Sequence, residues 1–223
     1  DAGQLGVGTK QAKTSPSSIE RLEGYHVIEV GAGALHSVAI SGTGEAWSWG
    51  DNNHCQLGVP RDDAIMRNNT VTEPKLIPKL VGRQAAAVTC GAGHTLVLME
   101  NGEVYGWGMA AKGQLGLGEN FMAAKYAPEP TSLPYFSECM TSSAGSLRCV
   151  ALSTGLAHSV FLMSDGSIRV TGMNTYGQLA LGHREAQHSP QEVPYNFMGS
   201  KVKHVSCGGA HTLVCSAEGD LFS

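Results

Sequence analysis

Three patterns in the sequence have the residue types of a reactive site. Val27-Ile-Glu-Val-Gly-Ala-Gly-Ala-Leu35 reads as a strand running into a glycine-rich loop, the form in which a dinucleotide or methyl-donor enzyme brings backbone N–H groups close to its cofactor. Four histidines, His36, His94, His158 and His211, each stand in a Gly-x-x-His-[Ser/Thr] motif, where an imidazole beside a hydroxyl could act as a general base or a metal ligand. GQLGLG at 113–118 places three glycines where a backbone could wrap a phosphate.

Repetition argues against each of these chemistries. The first loop lacks the third glycine of a dinucleotide fingerprint, because His36 stands there, and an equivalent glycine-histidine turn recurs at His94, His158 and His211. A cofactor loop has no reason to be copied so often, and no G-x-x-x-x-G-K-[ST] motif is present. The histidines are therefore expected to be turn residues, tying the imidazole to nearby backbone while the following Ser or Thr satisfies local polar groups. Trp49 and Trp107 are expected to pack rather than to stack on a ligand. No catalytic residue, cofactor or metal site is expected.

The elements that carry these motifs repeat as well. Gln-Leu-Gly occurs at Gln4, Gln56 and Gln114 and returns as Gln178-Leu179-Ala180. Each motif histidine is followed at one fixed offset by Gly44, Gly102, Gly166 or Gly219, and the first three at a second fixed offset by Gly50, Gly108 and Gly172. All length variation falls between a glutamine and the next histidine, where Pro16, Pro74, Pro130 and Pro190 each open a P-x-x-[Ile/Leu/Val] motif. Within the rigid part, Thr95–Met99, the turn dipeptide Asn101-Gly102 and Glu103–Trp107 read as a hairpin. Ser159–Met163 with Asp165-Gly166 and Ser167–Val170 repeats it, as does Ser37–Ile40 with Thr43-Gly44. The apolar runs are nearly continuous, so these strands are expected to be covered on both faces by stacked sheets. Self-similar β units too small to bury their own faces predict an all-β fold, a β-propeller rather than a solenoid.

The stretch from Val88 to Gly118, with V-T-C-G-A-G-H-T-L, N-G-E-V-Y-G-W-G and G-Q-L-G-L-G, resembles the repeat of the regulator of chromosome condensation family. The resemblance implies a seven-bladed propeller of which about four blades are present, making the chain part of a longer protein; a closed four-bladed ring is the alternative. The units run as a partial one ending near residue 8, whole ones at 9–60, 61–118 and 119–182, and a partial one at 183–223. Departures are local: Thr171 replaces the tryptophan of the Trp-Gly pair, Cys55 the glycine before Gln56, and Ala180 the last glycine of Gln-Leu-Gly. The family also takes in a plant ultraviolet-B photoreceptor, but light sensing there needs a tryptophan-rich interface with a G-W-R-H-T type motif. Gly-Ala-Gly-His-Thr and Gly-Gly-Ala-His-Thr stand here instead.

Composition narrows the partners. Of 223 residues 29 are glycine, far above the usual ~7%, which fits many turns and short strands. A net charge of −4 without any Lys/Arg run argues against a nucleic-acid surface. No apolar run approaches the ~20 residues that span a bilayer, so no membrane partner is expected. Six cysteines without C-x-x-C or a disulfide-like spacing are expected to be reduced, in an intracellular protein.

Function is then expected in what does not repeat. One such stretch, Gly58 to Thr72, carries Arg61, Asp62, Asp63 and Arg67; another, Glu119 to Cys149, carries Phe121, Tyr126, Tyr135 and Phe136. These eight residues are the candidate contacts for a protein partner, since loops on a rigid scaffold are the usual place for recognition. The reading is a non-catalytic interaction or scaffold propeller within a larger protein or assembly. The family resemblance implies an alternative, guanine-nucleotide exchange on a Ran-type small GTPase, for which no residue of this sequence can be assigned.

Overall fold

The apolar runs beside the Thr-Gly, Asn-Gly and Asp-Gly dipeptides do form hairpins, and further strands extend them into sheets. The computed structural model describes residues 2–59, 69–121, 123–141 and 147–223. The first sheet pairs β1 (Val27–Ala32), β2 (His36–Ser41), β3 (Ala46–Asp51) and β4 (Thr70–Leu76) in chain order. The second holds β5 (Ala85–Cys90), β6 (His94–Met99), β7 (Val104–Met109) and β8 (Tyr126–Ser132). After α1 (Pro134–Thr141), the third holds β9 (Cys149–Thr154), β10 (His158–Met163), β11 (Ile168–Gly172) and β12 (Gln187–Glu192). The fourth has three strands, β13 (Val202–Cys207), β14 (Thr212–Ser216) and β15 (Leu221–Phe222).

All pairing is antiparallel, and the register repeats from sheet to sheet. His36 faces Gly50, His94 faces Gly108 and His158 faces Gly172. This pairing explains the fixed spacing of those glycines. Each has a left-handed φ, and a Cβ there would run into the carbonyl just before the histidine, that of Leu35, Gly93 or Ala157. The second strands, β6 and β10, are buried along their whole length, as their unbroken apolar runs require.

The core lies between the sheets. Val38 and Ile40 of the first sheet meet Val88, Val97 and Trp107 of the second in one cluster, and Leu96 and Leu98 of the second meet Phe161 and Met163 of the third in another. The first strands β1, β5, β9 and β13 lie against one another on the inner side of the arc. The fourth strands β4, β8 and β12 form the outer edges. They carry Pro74, Pro128, Pro130 and Pro190, which an edge strand tolerates because one side of its backbone is unpaired.

GQLGLG lies in the connection between β7 and β8 of one sheet, as Gln56-Leu57-Gly58 lies between β3 and β4. The fold is nearly all β: among the described residues the one α-helix, α1, is eight residues long and lies ahead of the third sheet. Among the described residues no helix is long and apolar enough to cross a membrane.

Candidate interaction surface

The repeated histidines do not tie themselves to nearby backbone, as the sequence suggested; they reach into the next sheet. Nε2 of His36 lies 2.9 Å from Oγ1 of Thr95, that of His94 lies 3.1 Å from Oγ of Ser159, and that of His158 lies 3.2 Å from Oγ1 of Thr212. Each acceptor is the residue following the motif histidine of the next unit. Thr95, Ser159 and Thr212 in turn donate to the carbonyls of Gln56, Gln114 and Gln178 at 2.8, 2.6 and 2.8 Å. A hydroxyl has one proton, so a hydroxyl that donates to a carbonyl must accept from the imidazole. Nε2 of His36, His94 and His158 therefore carries a proton. Burial holds His36 and His158 down to about 4, and His94 down to about 3 with a further push from His36 and His158. A chain of three buried, neutral rings joined to their neighbours is a clasp rather than a base. Among the described residues no group of three or more His, Cys, Asp or Glu is placed to hold a metal ion.

Gln-Leu-Gly supplies the other half of each joint. Trp49 and Trp107 donate from Nε1 to the carbonyls of Gln4 and Gln56, both at 2.8 Å, so each indole in β3 or β7 is fastened to the preceding Gln-Leu-Gly. In β11 the smaller Thr171 takes that place, its Oγ1 lying 2.8 Å from the carbonyls of both Gly113 and Gln187, which share its one proton. The glutamine side chains close their own turns: Oε1 of Gln56, Gln114 and Gln178 accepts from the backbone N–H of His54, Lys112 and Tyr176 at 2.8, 2.9 and 2.9 Å. The repeated residues are thus consumed in holding sheets together.

The residues expected to meet a partner fall in different places. Arg61, Asp62, Asp63 and Arg67 lie outside the described residues. Phe121, half-buried, packs on the core between the second and third sheets. Tyr126 stacks on His54 with ring centroids 5.4 Å apart, beside the Gln-Leu-Gly turns. Tyr135 and Phe136 lie at the opposite rim, on α1. Phe136 is 1% exposed and meets Phe161 at 4.7 Å, which makes it a core residue. The Tyr135 hydroxyl accepts from Nε of Arg169 at 2.6 Å, and Nη2 of Arg169 lies 2.9 Å from Oε2 of Glu192, so α1 is latched onto the third sheet.

One rim gathers the connections between third and fourth strands together with the Gly-x-x-His turns; the other gathers the tight hairpins and the links between sheets. The first rim holds positions that motif reading passed over. His54, Lys112 and Tyr176 occupy the same place in three turns of one backbone design, yet differ in chemistry. The signal was present in the sequence: a residue free to vary two places before an unvarying glutamine.

Stacked antiparallel sheets of four strands, the fourth of three, joined at each interface by the same histidine–hydroxyl–carbonyl contacts, define a β-propeller, here present in part. The chain belongs to the family described as "Regulator of chromosome condensation (RCC1) repeat", whose model matches residues 1–40, 43–98, 101–162 and 165–215. It is 31% identical over 222 residues to the ultraviolet-B receptor UVR8 of Arabidopsis thaliana, covering 99% of this chain and 46% of UVR8. It is 31% identical to the probable E3 ubiquitin-protein ligase HERC4 of Homo sapiens, covering 92% of this chain and 18% of that protein. Among solved structures, human WBSCR16 superposes with a TM-score of 0.81 at 25% identity over 96% of this chain and 50% of the other. The yeast protein Prp20p, described with its binding to Gsp1p and histones, superposes at 0.74 with 20% identity over 96% of this chain and 50% of that one, a likeness of fold. The chain therefore spans half or less of each of these proteins.

Proposed function

We propose that the chain is a non-catalytic protein-interaction propeller, a scaffold element of a larger protein or a multi-subunit assembly. One observation carries this reading: His36, His94 and His158, the hydroxyls they meet and the repeated indole bond across the joints between sheets, and the glutamine side chains close their own turns, while the side chains that differ from unit to unit stand on the rim of the Gln-Leu-Gly turns. A rigid frame with a varied edge suits recognition rather than turnover. Guanine-nucleotide exchange on a Ran-type GTPase is the competing reading and has the family resemblance as its support. Release of labelled nucleotide from a panel of small GTPases separates them. Unchanged release with every GTPase at catalytic amounts of the protein supports the scaffold; acceleration with any one of them overturns it.

A further inference from the structure

The rim of the Gln-Leu-Gly turns has a composition of its own. Leu156, at the tip of the β9–β10 turn, is 53% exposed, and Tyr176, before Gln178, is 72% exposed. Backbone bonds join this edge into one strip. The N–H of Ala92 donates to the Leu156 carbonyl at 3.2 Å and that of Leu156 to the Gly209 carbonyl at 3.0 Å. Met109 and Met173 donate to the carbonyls of Gly93 and Ala157, both at 2.8 Å, which seats two half-buried thioethers in equivalent places beside the turns. His54, stacked on Tyr126, closes the strip against Gly93. Aromatic and methionine side chains on an exposed strip are the composition of an interface core, and methionine adapts to the shape of what it meets.

The charges on the two rims differ. Around the strip stand exposed Lys112, Lys125 and Arg184, against Glu119 and Glu185. At the other rim each hairpin carries carboxylates and no base within its turn: Glu45, then Glu100 and Glu103, then Asp165, then Glu218 and Asp220. Bases do lie against those turns, with Arg148 packed on Gly102 and Lys201 on Gly166, so the charges there are interleaved. An acidic chain approaching the molecule therefore meets carboxylates at every hairpin and, on the strip side, an apolar seat with cations beside it.

We infer that this rim docks an acidic protein segment, one that sets an aromatic or large aliphatic side chain between carboxylates. The inference rests on the interaction reading above and adds the face and the chemistry of the partner. The apolar anchor would supply the affinity on Leu156, Tyr176 and the two methionines; the carboxylates would steer it and set its register.

Random peptides displayed on phage and selected on the protein test this, followed by anisotropy titrations of the recovered peptides as labelled synthetics. Three variants are compared with the parent: Leu156→Ser with Tyr176→Ser, Lys112→Glu with Arg184→Glu, and Glu103→Lys with Asp165→Lys as the opposite-rim control. The expected peptides carry Asp or Glu around an aromatic or Leu, lose about tenfold or more in affinity with either rim variant, keep it with the control, and weaken as salt rises. Basic peptides, or peptides lost only with the control variant, overturn the face and the partner while leaving the interaction reading intact. Recovery of no binding peptide overturns both.

Discussion

Nε2 of His94 lies 3.1 Å from Oγ of Ser159 in the next sheet, while Ser159 gives its own proton to the Gln114 carbonyl at 2.6 Å. Protonating the ring would bury a positive charge with a second N–H to satisfy. Its folded pKa is depressed from 6.5 to about 3, and those of His36 and His158 from 6.5 to about 4. The unfolded chain thus binds more protons than the folded one below pH 6.5. Stability is expected to be full above pH 6.5 and to fall as pH drops toward 4, continuing toward 3 for His94. Each unit of depression is worth about 1.4 kcal/mol, so even a fraction of it over three rings is large beside a total of ~5–15 kcal/mol. Urea midpoints measured from pH 8 downward should be flat and then decline. His94→Gln, which keeps a donor near the same place without a titrating ring, should lower the plateau and make the decline shallower; an unchanged slope would show that His94 is not part of the acid response.

The histidine clasp also marks what was legible in the sequence. The hairpin runs were visible: Thr95–Met99 and Ser159–Met163 were readable from their apolar, β-branched residues and differ from β6 and β10 by one residue at the start. The outer strands were not, because TVTEPKL in β4 and YAPEPTS in β8 carry prolines that argue against a strand unless its edge position is known. The recurrence of Ser or Thr after each histidine was equally plain. Its meaning was hidden because each hydroxyl serves the histidine of the unit before, and a motif read within one unit assigns both groups to the same turn. Of the candidate contacts, Tyr126 falls on the varied rim. Phe136 went to the core because aromatic character alone does not tell a buried side from an open one, and the spacing that places it on the inner side of α1 is too short to show a period.

Gly58 is held where no side chain fits. Its φ is 63°, and a Cβ there would come within 2.8 Å of Nε1 of Trp107, the atom that donates to the Gln56 carbonyl. Gly58→Ala should cost about 2–4 kcal/mol, from the left-handed backbone and the displaced indole hydrogen bond. Ala180 stands in the matching position at φ 53°, so a Cβ is already accommodated there. Ala180→Gly should be neutral or stabilise by up to about 1 kcal/mol. Urea titration of both variants checks the contrast. Equal effects would mean that the indole contact does not set the glycine requirement.

All six cysteines are free thiols, but they differ in environment. Burial pushes Cys149 up to about 12 and Cys90 likewise to about 12; Cys90 as a residue is half-exposed, but its sulfur is turned against Gly31 of the first sheet. Cys207 is raised by the same cause. At pH 8 little thiolate is available at these three places. Timed alkylation with iodoacetamide, read by mass spectrometry, should label half-exposed Cys139 on α1 well ahead of Cys90 and Cys149, and all six together in denaturant. Early labelling of Cys90 would show that the joint between the first two sheets opens on the timescale of the reaction.

Arg169 and Tyr135 exchange the roles that Trp47 and Arg21 play two sheets earlier. Trp47 and Arg169 stand at the same offset from His36 and His158, facing Ala39 and Phe161 across their hairpins. Arg21, in the short turn Glu20–Leu22 before the first sheet, lies 5.9 Å from the Trp47 ring, and Arg169 lies 6.0 Å from the Tyr135 ring. In both sheets one cation meets one aromatic between the incoming link and the third strand; only the sides are reversed. Arg169 is 7% exposed, so losing its partners is more serious than breaking a surface pair. Tyr135→Arg alone sets two guanidinium groups together, and Arg169→Trp alone removes the hydrogen bond to the Tyr135 hydroxyl and forces an indole into a site packed around a guanidinium, while exposed Glu192 is simply rehydrated. Each single change should cost about 2–3 kcal/mol by these mechanisms. The double variant, which rebuilds the Arg21–Trp47 arrangement in the third sheet, should recover at least about 1 kcal/mol relative to the sum of the two, a coupling that a double-mutant cycle in urea reads directly. Additive costs would mean that the two sheets reach a similar packing for unrelated reasons.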